Sequence, residues 1–269
     1  MKQLIFTLLI LLPIVGFGQK SFHYKTFEKR DRFVLLGDAQ IIDKDVRLTR
    51  ADEWLTGAIW YKNKVKVEHG FEVEFNMLIS RHGGWQGKGA DGLAFVISND
   101  PNGYTSGANG EGIGYEGMQN CLAFEFDTFD NQEGGDNHVS IQTNGNNRVS
   151  RHNDHSLAIN HKIPALKSVI RNIKITYDFK FMRVYIDGKL YIKKEVHLEK
   201  TIKLDKGKAY IGFTAATAGA YSQHKILDWR WNMEKKILVH RTIDKDIYVA
   251  KTATISINAI LPREEEFLA

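Results

Sequence analysis

Apolar and polar residues alternate along much of this chain. A period of two is the pattern of a half-buried β-strand, whose side chains point to opposite faces in turn. Phe71-Glu72-Val73-Glu74-Phe75, Ile173-Lys174-Ile175-Thr176-Tyr177 and Met182-Arg183-Val184-Tyr185-Ile186 all show it. Asp187-Gly188 separates the last run from Leu190-Tyr191-Ile192, with the spacing and residue types of a two-residue hairpin. Residues 93–97 and 210–213 are apolar almost throughout, as expected of central strands. The one stretch that reads as helix is short, residues 165–169. Many strands, tight turns and little helix predict an all-β protein, a sandwich of antiparallel sheets.

Residues 1–19 read as a processing segment. Lys2 supplies the positive charge, and residues 4–15 form an apolar run too short to span a bilayer comfortably. Gly16-Phe17-Gly18 places small residues before a cut after Gly18, so the sequence predicts an exported chain, secreted or held in the cell envelope. No later run is long enough for a transmembrane helix. The remainder suits one large β domain, and 43% hydrophobic and 11% aromatic residues suffice for its core. With a single cysteine, Cys121, no intramolecular disulfide framework is available, and bound metal could serve as the staple instead. The net charge of +5 falls to +4 without Lys2. The basic residues are scattered among acidic ones, with no stripe of the kind nucleic acid requires, so no nucleic-acid partner is expected.

The densest chemistry lies in Glu125-Phe126-Asp127-Thr128-Phe129-Asp130-Asn131, followed by Asp136-Asn137-His138. The apolar lead-in Cys121-Leu122-Ala123-Phe124 sets Glu125 and Asp127 at the end of a buried strand, two apart and therefore on one face. Carboxylates held side by side repel unless a cation or a proton lies between them. The segment reads first as a metal site and second as a catalytic acid pair, with a solvated acidic turn as the plain alternative. Asp127, Asn131, Asp136 and a nearby carbonyl offer hard oxygen, suited to Ca2+. Glu125, Asp127 and His138 make a mixed oxygen and nitrogen set, suited to Mn2+ or another transition metal. Upstream lie two long Gly-rich connections, residues 81–89 with Trp85 and residues 101–117 with Tyr104 and Tyr115. Loops of that length in a compact domain are usually functional or disordered.

Several segments in order resemble one family. They are Gly89-Ala90-Asp91-Gly92-Leu93-Ala94-Phe95-Val96, Gly114-Tyr115-Glu116-Gly117, the acidic segment running on into Val139-Ser140-Ile141, and Ser156-Leu157-Ala158. The Asp187-Gly188 hairpin follows, then Tyr210-Ile211-Gly212-Phe213-Thr214-Ala215-Ala216-Thr217 with His224-Lys225-Ile226-Leu227-Asp228-Trp229. Together they resemble an L-type, legume-lectin-like domain in its bacterial form, over roughly residues 33–232. The resemblance implies a concanavalin A-like jelly-roll sandwich that binds glycans beside a calcium and transition-metal pair, without catalysis. It implies Glu125, Asp127 and His138 as transition-metal ligands. For calcium it implies Asp127, the carbonyl of Phe129, Asn131 and Asp136. Asp91 would accept hydrogen bonds from two sugar hydroxyls, Asn131 would donate to one, and Phe129 would stack on the sugar. Backbone N–H groups of Gly110, Glu111 and Gly112, and of Ala218, Gly219, Ala220 and Tyr221, would complete the pocket. The family also has a cis peptide before the sugar aspartate, here Ala90-Asp91.

Two departures stand out. Only one residue separates Asp136 from His138, where the family commonly has a longer turn. This leaves open whether Asp136, Glu133 or water completes the calcium shell. The segment 217–224 looks one residue short, so no monosaccharide preference carries over. Glycoside hydrolases of the laminarinase type share the jelly roll and carry Glu-x-Asp-x-x-Glu, against Glu125-x-Asp127-x-x-Asp130 here. The shorter Asp130 would sit about one methylene too far back for that chemistry. An adhesive scaffold without sugar binding is a third reading. The domain expectation is a leader over residues 1–18, a lectin sandwich over 19–232 and an extension over 233–269. That extension, of unknown role, has an alternating stretch at residues 252–260 that reads as a strand. Modest pocket affinity would call for an oligomer or repeated display.

Overall fold

The computed structural model describes residues 21–145, 147 and 155–233. In chain order its strands begin with β1 (Phe22–Tyr24), β2 (Phe33–Gly37), β3 (Gln40–Ile42), β4 (Asp45–Thr49), β5 (Thr56–Tyr61) and β6 (Val65–Lys66). Then come β7 (Phe71–Gly84), β8 (Gly92–Ser98), β9 (Cys121–Asp127), β10 (His138–Thr143) and β11 (Ser156–Asn160). The rest are β12 (Ile170–Tyr177), β13 (Phe181–Ile186), β14 (Lys189–Glu195), a one-turn helix α1 (Leu198–Thr201), β15 (Lys208–Ala216) and β16 (Ala220–Asn232). They form two sheets. The back sheet runs β14-β13-β12-β7-β16-β4-β3 with β1 also on β16, and the front sheet runs β11-β10-β9-β8-β15-β5-β2 with β6 also on β15. Neighbouring strands are antiparallel throughout, so the expected sandwich architecture is the observed one.

The alternation in β7 is the packing rule made visible. Phe71, Val73, Phe75, Met77 and Ile79 are buried, and the residues between them are partly exposed. Phe75 meets Phe213 of β15 at 4.8 Å and Phe126 of β9 at 6.0 Å between ring centroids, which locks the two sheets together. The front strands β8 and β9 are buried on both faces. Leu93, Phe95, Leu122, Phe124 and Phe126 face the inter-sheet core. Their neighbours Ala94, Val96, Cys121 and Ala123 face the other way, under Ile113, Tyr115 and Met118 of the Gly-rich connection. A strand covered on both faces reads as a continuous apolar run, which is why these lost the alternation. Cys121 is a buried free thiol whose pKa burial pushes up to about 12, an inert core residue.

The hairpin between β13 and β14 turns on Asp187 and Gly188 at φ 51° and 78°, the left-handed pair that a two-residue turn needs. The helix expected at residues 165–169 does not form. Leu166 N–H donates to Asn137 Oδ1, Lys167 bridges Ile79, and Ser168 is left-handed at φ 64°. Long-range partners there outbid a weak local preference. The leader and the strand expected at residues 252–260 lie outside the described residues.

Candidate functional site

Register brings the site together at one end of the front sheet. Asp127 closes β9 opposite His138, which opens β10, and opposite Gly92, which opens β8. Gly92 in turn pairs with Ala216 at the end of β15. Asp91 and the segment after Ala216 therefore emerge beside the acidic turn. Asp91 N–H donates to Ala216 O at 3.1 Å, and Asp91 O accepts from Thr128 N–H at 2.8 Å and Thr128 Oγ1 at 2.9 Å. Phe129 is thus one residue from the anchor that holds Asp91. The Ala90-Asp91 peptide bond is cis.

The other loops dock on the segment after Ala216. Gly110 N–H donates to Thr217 O, Trp85 N–H to Gly219 O and Trp54 N–H to Ala218 O. Gly112 N–H donates to Asn109 O and Ala218 N–H to Ala220 O, so these amides already serve the loops' own structure. The Tyr221 ring lies over Gly83, where an added Cβ would come within 2.5 Å of it. Glu111 sits close enough to Asp91 for its charge to act on it.

Asp91 is 2% exposed, and its Oδ2 has no hydrogen-bond partner. Burial first, and the Glu111 charge second, push its carboxyl up to about 7. Asp127, Glu133 and His138 each bring a ligand atom to within 4.8 Å of the others'. Burial and the adjacent Glu125 charge hold the Asp127 carboxyl well above the usual range. Its Oδ1 accepts Phe129 N–H at 2.6 Å. His138 is fully buried with both ring nitrogens unpartnered, and burial plus the neighbouring His161 push it down to about 4. Glu125 and Asp136 are not part of that trio. Glu125 Oε2 accepts from Ser140 Oγ at 2.7 Å and Gln142 Nε2 at 3.3 Å. Asp136 stands at the surface, 3.9 Å from Lys167 Nζ. The Asn131 amide nitrogen is buried and unpartnered. Asp130 is exposed, with its Oδ1 accepting Gln132 and Glu133 N–H as a turn aspartate does.

The profile of the legume lectin β-barrel domain matches residues 25–227. The chain belongs to the L-type lectin family. This places it among lectins and not among the glycoside hydrolases that share the jelly roll, and the domain is not an enzyme. It is similar to a putative L-type lectin-domain containing receptor kinase I.10 of Arabidopsis thaliana, 23% identical over 254 residues, covering 84% of this chain and 40% of the relative. It is also similar to ERGIC-53 of Rattus norvegicus, 27% identical over 183 residues, covering 64% of this chain and 33% of the relative. The lectin thus spans about a third to two fifths of the length of these curated relatives. Among solved structures it resembles basic winged bean lectin with Tn-antigen (TM-score 0.66, 26% identity, 79% of this chain and 97% of that one). Winged bean acidic lectin complexed with methyl-α-D-galactose is as similar (TM-score 0.67, 25% identity, 79% and 97%).

Two contributors carry no functional signal in the sequence. Lys167 falls in the stretch that reads as helix, yet its Nζ bridges Lys88 O at 2.8 Å and Thr128 O at 2.9 Å, tying two site loops together. Trp54 carried no local signal, because only the fold brings it to the turn at Ala218. Among the described residues no helix is long and apolar enough to cross a membrane.

Proposed function

We propose that this lectin domain binds carbohydrate in the pocket around Asp91. The observation that carries the reading is the Asp91 carboxylate itself: buried, with one oxygen unpartnered, where four loops meet. A buried acceptor left without a donor costs free energy, and two sugar hydroxyls would supply the missing donors. Phe129 would stack on the apolar face of the ring, Asn131 would donate to a hydroxyl, and the Gly110–Gly112 turn with Ala218, Gly219, Ala220 and Tyr221 would close the sides.

The donor chemistry fits metal ions. Two carboxylates and an imidazole with unpartnered nitrogens converge at Asp127, Glu133 and His138, a set suited to Mn2+ or another transition ion, with Glu125 behind Asp127. We assign calcium to Asp127, the Phe129 carbonyl, Asn131 and Asp136, with Glu133 as the alternative fourth ligand. Bound ions would supply the positive charge that these buried carboxylates lack. The loop of Phe129 and Asn131 starts at Asp127 and is tied to Asp91 through Thr128, so ordering it orders the pocket. We further propose that residues 1–18 direct export and that the lectin unit ends near residue 232, with glycans as the partner.

A glycan array probed with the metal-loaded domain tests this reading, repeated in EDTA and with Asp91→Ala. Binding to defined sugars that is lost in both controls is the expected result. Binding that survives both would move the site elsewhere, and hydrolysis of the arrayed glycans would revive the Glu125 enzyme reading.

A further inference from the structure

We infer that Trp85 and Trp54 form an outer sugar subsite, so that this lectin takes an oligosaccharide and not a lone monosaccharide; the inference rests on the carbohydrate-binding reading above. The chain has five tryptophans. Trp60, Trp229 and Trp231 are buried in the sandwich, whereas Trp85 and Trp54 are 54% and 63% exposed. Single exposed hydrophobic residues are ordinary on a protein surface. These two lie on either side of one turn, the turn that also borders the Asp91 pocket.

The main chain of both residues is held there by hydrogen bonds. Trp85 N–H donates to Gly219 O at 2.9 Å, and Trp54 N–H donates to Ala218 O at 3.3 Å. A Cβ added at Gly84 would lie 2.2 Å from Gly219 O, so the Trp85 turn approaches this closely only because residue 84 is glycine. Lys167 Nζ then joins the Trp85 turn, through Lys88 O, to the Phe129 loop, through Thr128 O. On the far side, Trp54 Cζ2 comes within 4.0 Å of where a Gly219 Cβ would stand.

The outcome is an aromatic corner beside the pocket. The Trp85 and Phe129 rings stand 6.0 Å apart at 61°. A sugar held by Asp91 and Phe129 would have the Trp85 ring beside it, outward from the pocket, at the reach of the next residue of a glycan. Rigid aromatic rings lose little entropy when they contact a ligand, so their positions decide which chain length gains. Lys88 Nζ sits 4.9 Å from the Trp85 ring centroid and steadies the indole in place.

The test uses an array of mono-, di- and trisaccharides of galactose, mannose, glucose, fucose and their N-acetyl forms. The metal-loaded domain is compared as wild type, Trp85→Ala, Trp54→Ala, Trp85→Phe and Asp91→Ala. The expected result is that wild type prefers di- or trisaccharides over the matching monosaccharide by about tenfold. Trp85→Ala would erase that preference while keeping monosaccharide binding within about twofold, and Trp85→Phe would restore most of it. Equal loss of mono- and oligosaccharide binding in Trp85→Ala would overturn the subsite by placing Trp85 in the primary pocket. Unchanged binding by both alanine variants would also overturn it, while loss in Asp91→Ala would leave the lectin reading standing. No sugar binding by wild type would remove both.

Discussion

As the proposed sugar acceptor, Asp91 would set function against stability. Its folded pKa, near 7, lies above the value of about 3.8 for a free aspartate, so the folded chain binds the proton more tightly than the unfolded one. The stability it contributes is therefore fully present below the unfolded pKa and is lost as pH rises through about 7. In EDTA at pH 8, Asp91→Asn should raise the unfolding free energy by about 1 kcal/mol, the scale of an unsatisfied buried polar group. The same variant should lose sugar binding. Denaturant melts at pH 5 and pH 8 check it: an equal shift at both pH values would mean that ionisation of Asp91 is not the cause. Asp127 and His138 stand out in the sequence because strand ends and donor types are local signals, whereas Asp91 is marked there only by the family resemblance. The placement of Glu133 beside His138 depends on how the turn between β9 and β10 closes.

Within the sheets, close approach of backbones decides what is tolerated. Gly57 of β5 has Leu48 O 1.8 Å from the position of an added Cβ, with Leu48 C and Ala39 N also near. All three are backbone atoms, which have little room to yield. Gly57→Ala should therefore destabilise the domain by about 1–3 kcal/mol, read as a lower urea midpoint with an unchanged slope. A variant as stable as wild type would show that β4 and β5 can part at little cost. Hairpins and half-buried strands were readable because their signals are local. The stretch at 165–169 was not, because Asn137 and Ile79 claim its backbone from afar. The 101–117 connection reads as a functional loop, and much of its role proves structural: Ile113 and Tyr115, with the adjoining Met118, roof the front sheet.

Across the whole molecule, the proposed ions would couple to the fold. A ligand that binds only the folded chain stabilises it by about 2.7 kcal/mol at a hundredfold excess over its dissociation constant. For a domain of this size that is a rise in Tm of roughly 5–10 °C. Calcium and manganese should each raise the Tm of EDTA-stripped protein, and His138→Ala should cancel the manganese increment while sparing most of the calcium one. An unshifted melt with either ion would remove the metal from the proposal. The sequence by itself determined the sandwich, the hairpins and the acidic segment, because periodicity, turn residues and donor types act over a few neighbours. Only the tertiary structure decided which carboxylate joins His138, that Lys167 bridges two loops, and that Trp54 and Trp85 meet at one turn. Those pairings span as many as 164 residues of chain, as between Trp54 and Ala218, and are selected by the register of packed sheets, which no local pattern encodes.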